Sequence, residues 1–495
     1  MTHHCRTTRN ILVAVAATLM LAVSALAQDS EKVLHAFTGG SDGAMGGTHL
    51  VSDSAGNLYG TTFSGGNKST QCAVYTGLSG CGVVFKLTPT KHGSWKETVL
   101  HTFTGGKDGA VPAGGVILDS AGNLFGTALF GGDNKPKNCH AVGIHAAGCG
   151  VVYKLSPTAH GPWAETVLYS FTGGADGSEP WDPLIFDSSG NLYGTTSLGG
   201  NTTAPNCVYG SNYPSGCGVV FKLTPTGRGP WTESVLYTFS GGSDGGLSYG
   251  GLTFDSQGNL YGVTYLSGDT SVSCFTGFPG CGVVFKLAPT ASGPWTETVL
   301  HAFTGGSDGG TPLFGVTLDS GGNVYGTTIY GGDTKTAQCL GGDGIGVPPG
   351  CGVVFELTQG TWDETALYTF TGGSDGAFDL SPLVFDLDGN LYGETTSGGD
   401  LAAPCPFGTE LNAGCGVVFK LTPAWQGPWT ESVLHAFSGG TDGWGPESNL
   451  LFDPDGNLYG VAEAGGNTSQ CGGFGCGVVF KLQQPDDASF EKPVR

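Results

Sequence analysis

Apolar and polar positions alternate along this chain in short runs, and the runs return in a fixed order. The stretch "CGVVFKL" stands at 81–87 and recurs, with at most one change, from Cys149, Cys217, Cys281, Cys351, Cys415 and Cys476. In an extended run Val83, Phe85 and Leu87 share one face, and Val84 and Lys86 share the other. This predicts a strand, C. Three further runs accompany each copy. An apolar run ending in Asp, as in "LIFDSSGN" and "LTFDSQGN", predicts strand A. "GNLYGTT" predicts strand B, and runs such as "ETVLYTF" predict strand D. The "GNLYG" element or a close variant begins at Gly56, Gly122, Gly190, Gly258, Gly322, Gly389 and Gly456, a step of 64–68 residues. No window of similar length carries a helical period.

Four-stranded units in tandem predict propeller blades. The repeat is longer than the ~40–50 residues of common blade repeats, with the surplus mainly in the B–C loop. Strands A, B and C each occur seven times. Strand D also occurs seven times, but its first copy, "EKVLHAF", precedes any strand A, and the last unit ends without one. The N-terminal strand is therefore expected to supply the outer strand of the last blade, which removes an open edge. The expectation is an all-β chain folded as one seven-bladed β-propeller over 28–485, with four antiparallel strands per blade and a short polar tail at 486–495. An open stack of sheets would leave the displaced strand D unexplained.

The cysteines follow the same period. After Cys5 there are two per repeat: Cys72 and Cys81, Cys139 and Cys149, Cys207 and Cys217, Cys274 and Cys281, Cys339 and Cys351, Cys405 and Cys415, Cys471 and Cys476. Even numbers at matched positions read as disulfides that close each B–C loop onto strand C. Zinc is the competing reading, but it needs about four ligands per site. Only "CHAVGIHAAGC", with Cys139, His140, His145 and Cys149, offers them.

The N-terminus agrees with an oxidising destination. Arg6 and Arg9 precede the apolar stretch "ILVAVAATLMLAVSA", and "ALA" at 25–27 fits a small-x-small cleavage site. Residues 1–27 read as a secretory signal peptide rather than a membrane span. No cysteine stands directly after the cleavage site, so a lipid anchor is not expected, and no later segment is apolar enough to span a membrane. The localisation expected is secreted or periplasmic.

The formal net charge is −22, and loss of the basic leader would leave the mature chain more acidic still. Such a chain repels nucleic acid and anionic lipid. Glycine is abundant, 91 residues, yet no G-X-Y period appears, and 39% of positions are patterned apolar residues. Collagen and disorder are both excluded.

The units resemble the GloVer (choice-of-anchor) tandem-repeat family of exported bacterial proteins. The matching elements are "GNLYGTT", the "GG" after it, "CGVVFKLTP" and "VLYSFTGGADG". The resemblance implies export and a repeat array, and it carries over no catalytic residue. Members often end in a surface anchor. Here the tail is short and polar, which implies a freely soluble exported protein, expected to be a monomer.

Candidate chemistry divides between the two faces of the ring. The A–B turn carries Asp53, Asp119, Asp187, Asp255 and Asp319, read as turn-forming residues. Trp163, Trp231, Trp295 and Trp429 of the C–D turn are expected to pack between blades. His35, His101, His301 and His435 share a position with Tyr169, Tyr237 and Tyr368, so packing is expected there too. On the other face the D–A loops present Asp42, Asp108, Asp176, Asp244, Asp308, Asp375 and Asp442. These are candidate calcium ligands, against the alternative of ordinary Asp-Gly turns.

Departures from the repeat are the better pointers to a ligand. Glu394 and Glu463 intrude after the Tyr-Gly pair in blades six and seven, and the adjoining D–A loops add Asp379 and Glu447. Trp181 and Trp444 are non-repeat aromatics, with Glu179 and Asp182 beside Trp181. Aromatic faces with carboxylates suit sugar recognition. The expectation is a binding module for a glycan or a protein. One alternative is a glycan-active hydrolase or lyase using these carboxylates. Another is a structural docking platform. No GxSxG elbow, HExxH or Walker loop is present, so no nucleophile, base or cofactor is assigned.

Overall fold

The computed structural model describes residues 30–483, except 48, 68–71, 73–78, 134–138, 140–147, 160–161, 205, 208–215, 228, 276–277, 292, 336–338, 340–348, 380, 404, 406–413 and 425–427. The leader, the tail, His140 and His145 lie outside the described residues.

The described strands form seven separate antiparallel sheets. Blade three is representative, running from Ile185–Phe186 through Leu192–Thr196 and Val219–Thr224 to Thr232–Thr238. The N-terminal strand Ser30–Ala36 pairs antiparallel with Val478–Gln483 and becomes the outer strand of the last blade. The fold is the seven-bladed propeller that the repeat count predicts.

Strand C shows why the repeat has to be a ring. Val83, Val84, Phe85 and Leu87 are all buried, so both faces of the strand are covered. Val84 packs with blade two, among Leu124, Val151 and Tyr153. Val83, Phe85 and Leu87 pack with Leu34, Phe37 and Tyr459 of blade seven. Among the described residues the main apolar clusters lie at the seams between blades, not within single blades. The C–D turn Trp residues cap these seams as expected. Trp163 lies 6.3 Å from Tyr59, Trp231 6.2 Å from Phe125 and Trp295 6.2 Å from Tyr193, each reaching the preceding blade.

The outer strand is not a plain alternation. In blade one its register slips between His101 and Val99, so Leu100 is an extra, bulged residue that turns inward and is 6% exposed. The same slip occurs in blades two to seven. A bulge twists an edge strand and spoils it as a template for another chain.

The inner strand is broken. In blade one Ala44–Gly46 pairs with the end of Leu58–Ser64, and Val51–Ser52 pairs with its start. Gly46 faces Thr62 and Val51 faces Tyr59, so the inner strand has more chain than strand B between these points and bows toward the axis. At the head of each bow one residue is held in the left-handed region. Met45, Val111, Glu179, Leu247, Thr311 and Phe378 have φ of 55–58°, and Gly445 has 61°. For a non-glycine residue this costs about 1–2 kcal/mol.

What holds each strained residue is the preceding blade. The N–H of Met45 donates to Cys476 O at 2.8 Å, that of Val111 to Cys81 O at 2.9 Å and that of Glu179 to Cys149 O at 3.0 Å, and so around the ring. The seven cysteine pairs are joined as the sequence predicts, with Cα–Cα distances of 5.0–5.5 Å. The second cysteine of each repeat thus closes its own loop through sulfur and clasps the next blade through its carbonyl.

Candidate functional site

Strand B ends, B–C loops and D–A loops meet on one face, around the mouth of the ring. Six aromatic rings succeed one another along the inner rim of that face from blade three to blade six. Trp181 stands 5.8 Å from Tyr249, and Tyr249 5.6 Å from Tyr265. Tyr265 lies 5.6 Å from Phe275, Phe275 6.0 Å from Tyr330, and Tyr330 5.6 Å from Phe378. All six are half-buried, so the arc is fixed by packing and still open to solvent. Leu198, Leu247 and Leu266 form a small apolar floor against Tyr249, Tyr265 and Phe275. The buried Trp181 indole N–H meets no acceptor among the described residues.

Sequence reasoning found only Trp181 in this arc. The signal for the others was present. Tyr265 stands where other blades carry Phe63, Leu129, Ser197, Ile329, Thr396 and Glu463, and Tyr249 stands where they carry Gly47, Ala113, Trp181, Leu313, Leu380 and Glu447. Phe275 comes directly after a disulfide cysteine, and Phe378 is the strained residue of its blade.

Trp444 is a correction. It is 6% exposed, packs in the seam core between blades six and seven, and donates its indole N–H to Phe474 O at 3.2 Å. It offers no face to a ligand.

The carboxylates divide into buried and half-exposed groups. Asp182, Asp379 and Glu394 are 4%, 1% and 0% exposed, so they are not surface contacts as the sequence suggested. Burial pushes all three well above the usual carboxylate range. Asp182 accepts from Thr195 Oγ1 at 2.7 Å. Asp379 accepts from the N–H and hydroxyl of Ser381 at 3.0 and 3.2 Å. Glu394 reaches from blade six to blade seven, where its Oε2 accepts from Ser448 N at 2.7 Å. It fills the space over Gly460, where an added Cβ would lie 2.6 Å from Glu394 Oε1.

Glu447 and Glu463 remain half-exposed although the ring encloses them. Burial pushes Glu463 up to about 7. Glu447 lies well above its ordinary value through burial, reinforced by repulsion from Glu463. Repulsion between the two favours a proton on the pair. At the other end of the arc, burial raises Glu179 to about 7.

The seven D–A aspartates lie one per loop. Asp42 accepts from Thr38 N at 2.8 Å and Thr38 Oγ1 at 2.5 Å, and His35 Nε2 stands 3.6 Å away. Where Tyr replaces His the phenol donates instead, as Tyr237 does to Asp244 at 3.1 Å. Among the described residues no group of three or more His, Cys, Asp or Glu side chains is placed to hold a metal ion. The A–B aspartates bind their own turns. Asp53 accepts from Ala55 N, Asn57 N and Tyr59 Oη at 2.9–3.0 Å.

No curated protein matches this sequence. Solved structures similar to it include a gluconolactonase of Xanthomonas campestris, at 12% identity over 74% of this chain and 93% of that one, with a TM-score of 0.36. A Trichoderma reesei protein of Carbohydrate-Active Enzymes family AA12 has 13% identity over 75% and 92%, with a TM-score of 0.37. An ancestral GH74 enzyme has 11% identity over 89% of this chain and 48% of its own, with a TM-score of 0.47. The blade count rests on the sheets themselves and not on these likenesses. The sequence profile of the Gloeobacter/Verrucomicrobia repeat matches residues 70–340 and 215–414, and the chain belongs to that repeat family.

Proposed function

We propose that the protein is an exported binding module whose ligand is carbohydrate, held across the inner rim of the disulfide-bearing face. The observation that carries this reading is the six-ring arc, half-open to solvent and flanked by Glu179 at one end and Glu447 and Glu463 at the other. Aromatic rings pack on the apolar face of a pyranose, and carboxylates accept hydrogen bonds from its hydroxyls. Asp379 and Glu394 hold the backbone N–H groups of Ser381 and Ser448, and Asp182 holds the Thr195 hydroxyl. Export accords with the leader sequence and with seven disulfides, which persist in oxidising compartments. Among the described residues no helix is long and apolar enough to cross a membrane.

The test is retention on a polysaccharide panel, with and without calcium, with chromatography of the supernatant for cleavage products. Retention weakened about tenfold by Trp181→Ala or Tyr265→Ala, consistent with 1–2 kcal/mol for an aromatic anchor, supports the reading. Retention untouched by both substitutions sinks this site. Loss of retention in chelator would bring in the D–A aspartates. New products would make the Glu447 and Glu463 pair a catalytic candidate, since burial and mutual repulsion favour a proton on the pair.

A further inference from the structure

One glutamate recurs in every outer strand: Glu31, Glu97, Glu165, Glu233, Glu297, Glu364 and Glu431. In all seven, Oε1 is buried and meets no hydrogen-bond donor among the described residues. Each lies at a seam, within electrostatic reach of the blade before it. Glu97 faces His35 and Asp42, and Glu364 faces His301 and Asp308. Glu31 faces His435 and Asp442, and Glu165 faces His101 and Asp108, with the Tyr153 phenol on its own blade. At the other three seams a tyrosine takes the place of the imidazole. Glu233 faces Tyr169 and Asp176, Glu297 faces Tyr237 and Asp244, and Glu431 faces Tyr368 and Asp375. The strand C lysines do not help, because they lie over the strand B rings instead, as Lys86 does 5.3 Å from the Tyr59 centroid.

The arrangement puts two carboxylates across each seam with too few hydrogens. The aspartate is already satisfied. At the Glu297 seam, Asp244 accepts from Ser240 N at 2.8 Å, Ser240 Oγ at 2.5 Å and Tyr237 Oη at 3.1 Å. The glutamate oxygen is left with nothing but a proton to neutralise it.

We infer that the seven seams are proton-operated latches: each seam glutamate takes up a proton as the medium turns mildly acidic, its repulsion from the facing aspartate ends, and the ring tightens. Burial first, then the aspartate, raises Glu233 and Glu297 from an ordinary 4.5 to about 7. A group raised on folding contributes stability that is full below its ordinary value and is lost as pH rises through about 7. His49 works against the trend, since burial lowers it to about 4 and its contribution is lost on acidification. It is one group against the seven seam glutamates. Glu179, Asp182, Asp379, Glu394, Glu447 and Glu463, also raised by burial, act in the same direction as the seven, so the glutamine variants isolate the share of the seams. Asp42, Asp108, Asp308 and Asp442 are lowered from an ordinary 3.8, so their contribution fails only in stronger acid.

The test is thermal unfolding of the oxidised protein from pH 8 to pH 5, with potentiometric proton counting on unfolding at pH 6. The melting temperature is expected to rise toward pH 5, and unfolding at pH 6 is expected to release protons. Joint substitution Glu233→Gln, Glu297→Gln and Glu431→Gln is expected to raise the melting temperature at pH 8, flatten the pH dependence and lower the proton release by up to about three. If the triple variant does not fold, Glu297→Gln alone is read, with a release smaller by up to about one. His101→Tyr removes the imidazole that opposes the rise of Glu165 and is expected to steepen the dependence. A wild-type protein that melts lower at pH 5 than at pH 8, or glutamine variants with an unchanged proton count, would overturn the inference.

Discussion

Glu394 occupies a strand B position where the other blades carry threonine or valine, and that exchange is structural before it is chemical. The broken inner strand leaves strand B donors exposed at this level. Ser381 Oγ accepts from Glu394 N at 2.8 Å, and Ser448 Oγ accepts from Val461 N at 2.8 Å. The Glu394 carboxyl then reaches across the seam to the N–H of the same Ser448. Burial disfavours charge on this carboxyl, so glutamine is close to an isostere. Glu394→Gln is expected to change unfolding free energy by less than ~1 kcal/mol. Glu394→Ala, which orphans a buried N–H and leaves a cavity, is expected to lose roughly 2–4 kcal/mol. Urea unfolding of the two variants decides it, and equal losses would mean the carboxyl does not staple these blades. The sequence showed Glu394 as an anomaly. It could not show that the anomaly points inward, because the bow of the inner strand is not written in any alternation of residues. Trp181 and Trp444 looked alike for the same reason. Trp444 sits one residue before the strained Gly445 and is folded into the seam, whereas Trp181 sits two residues after Glu179, on the bow itself.

Strands were legible because each carries its own period, and loops were legible because each carries its own cysteines. The outer-strand bulge and the left-handed inner-strand residue were not. Both are imposed by a neighbouring strand, and six different side chains are tolerated at the strained position. That tolerance implies that the backbone bond from the preceding cysteine carbonyl, not the side chain, sets the conformation. Met45 is half-buried, so Met45→Gly should lose little packing. It should relieve strain, leaving stability within ~1 kcal/mol of the parent or slightly above it. Removing the loop closure is expected to cost more. Cys72→Ser with Cys81→Ser opens a loop whose cysteines are 9 residues apart, and a loss of roughly 2–3 kcal/mol is expected in the chain-entropy model. Hydrogen exchange should place that loss in the Cys72 loop and, through Cys81 O, in the Val111 amide of the next blade. Protection of the Val111 amide that survives the double substitution would show that the clasp does not depend on the disulfide.

Closure of the ring depends on one short segment. Ser30–Ala36 joins the outer edge of the last blade, and with Phe37 it contributes to two seams at once. Val33 packs against the core between blades six and seven, while Leu34 and Phe37 lie in the core between blades seven and one. Phe37 is fully buried, and its ring meets that of Phe85 at 5.3 Å. Emptying those two large positions alone removes roughly 5–10 kcal/mol, the same order as the whole stability of a typical folded domain. Deletion of residues 30–37 is therefore expected to abolish cooperative unfolding and to leave Val478–Gln483 as an open edge that aggregates. A circular permutant that carries the same eight residues after 483, on a linker long enough to turn back, restores the blade without changing any contact. It should melt within a few degrees of the parent. The two variants separate two causes. If both fail, the N-terminal position of the strand matters in itself, for instance by forming the last blade only after the other six are built. If only the deletion fails, the strand acts purely as the missing quarter of a blade, and the displaced first repeat is a device for fastening the ring at the joint where its two ends meet.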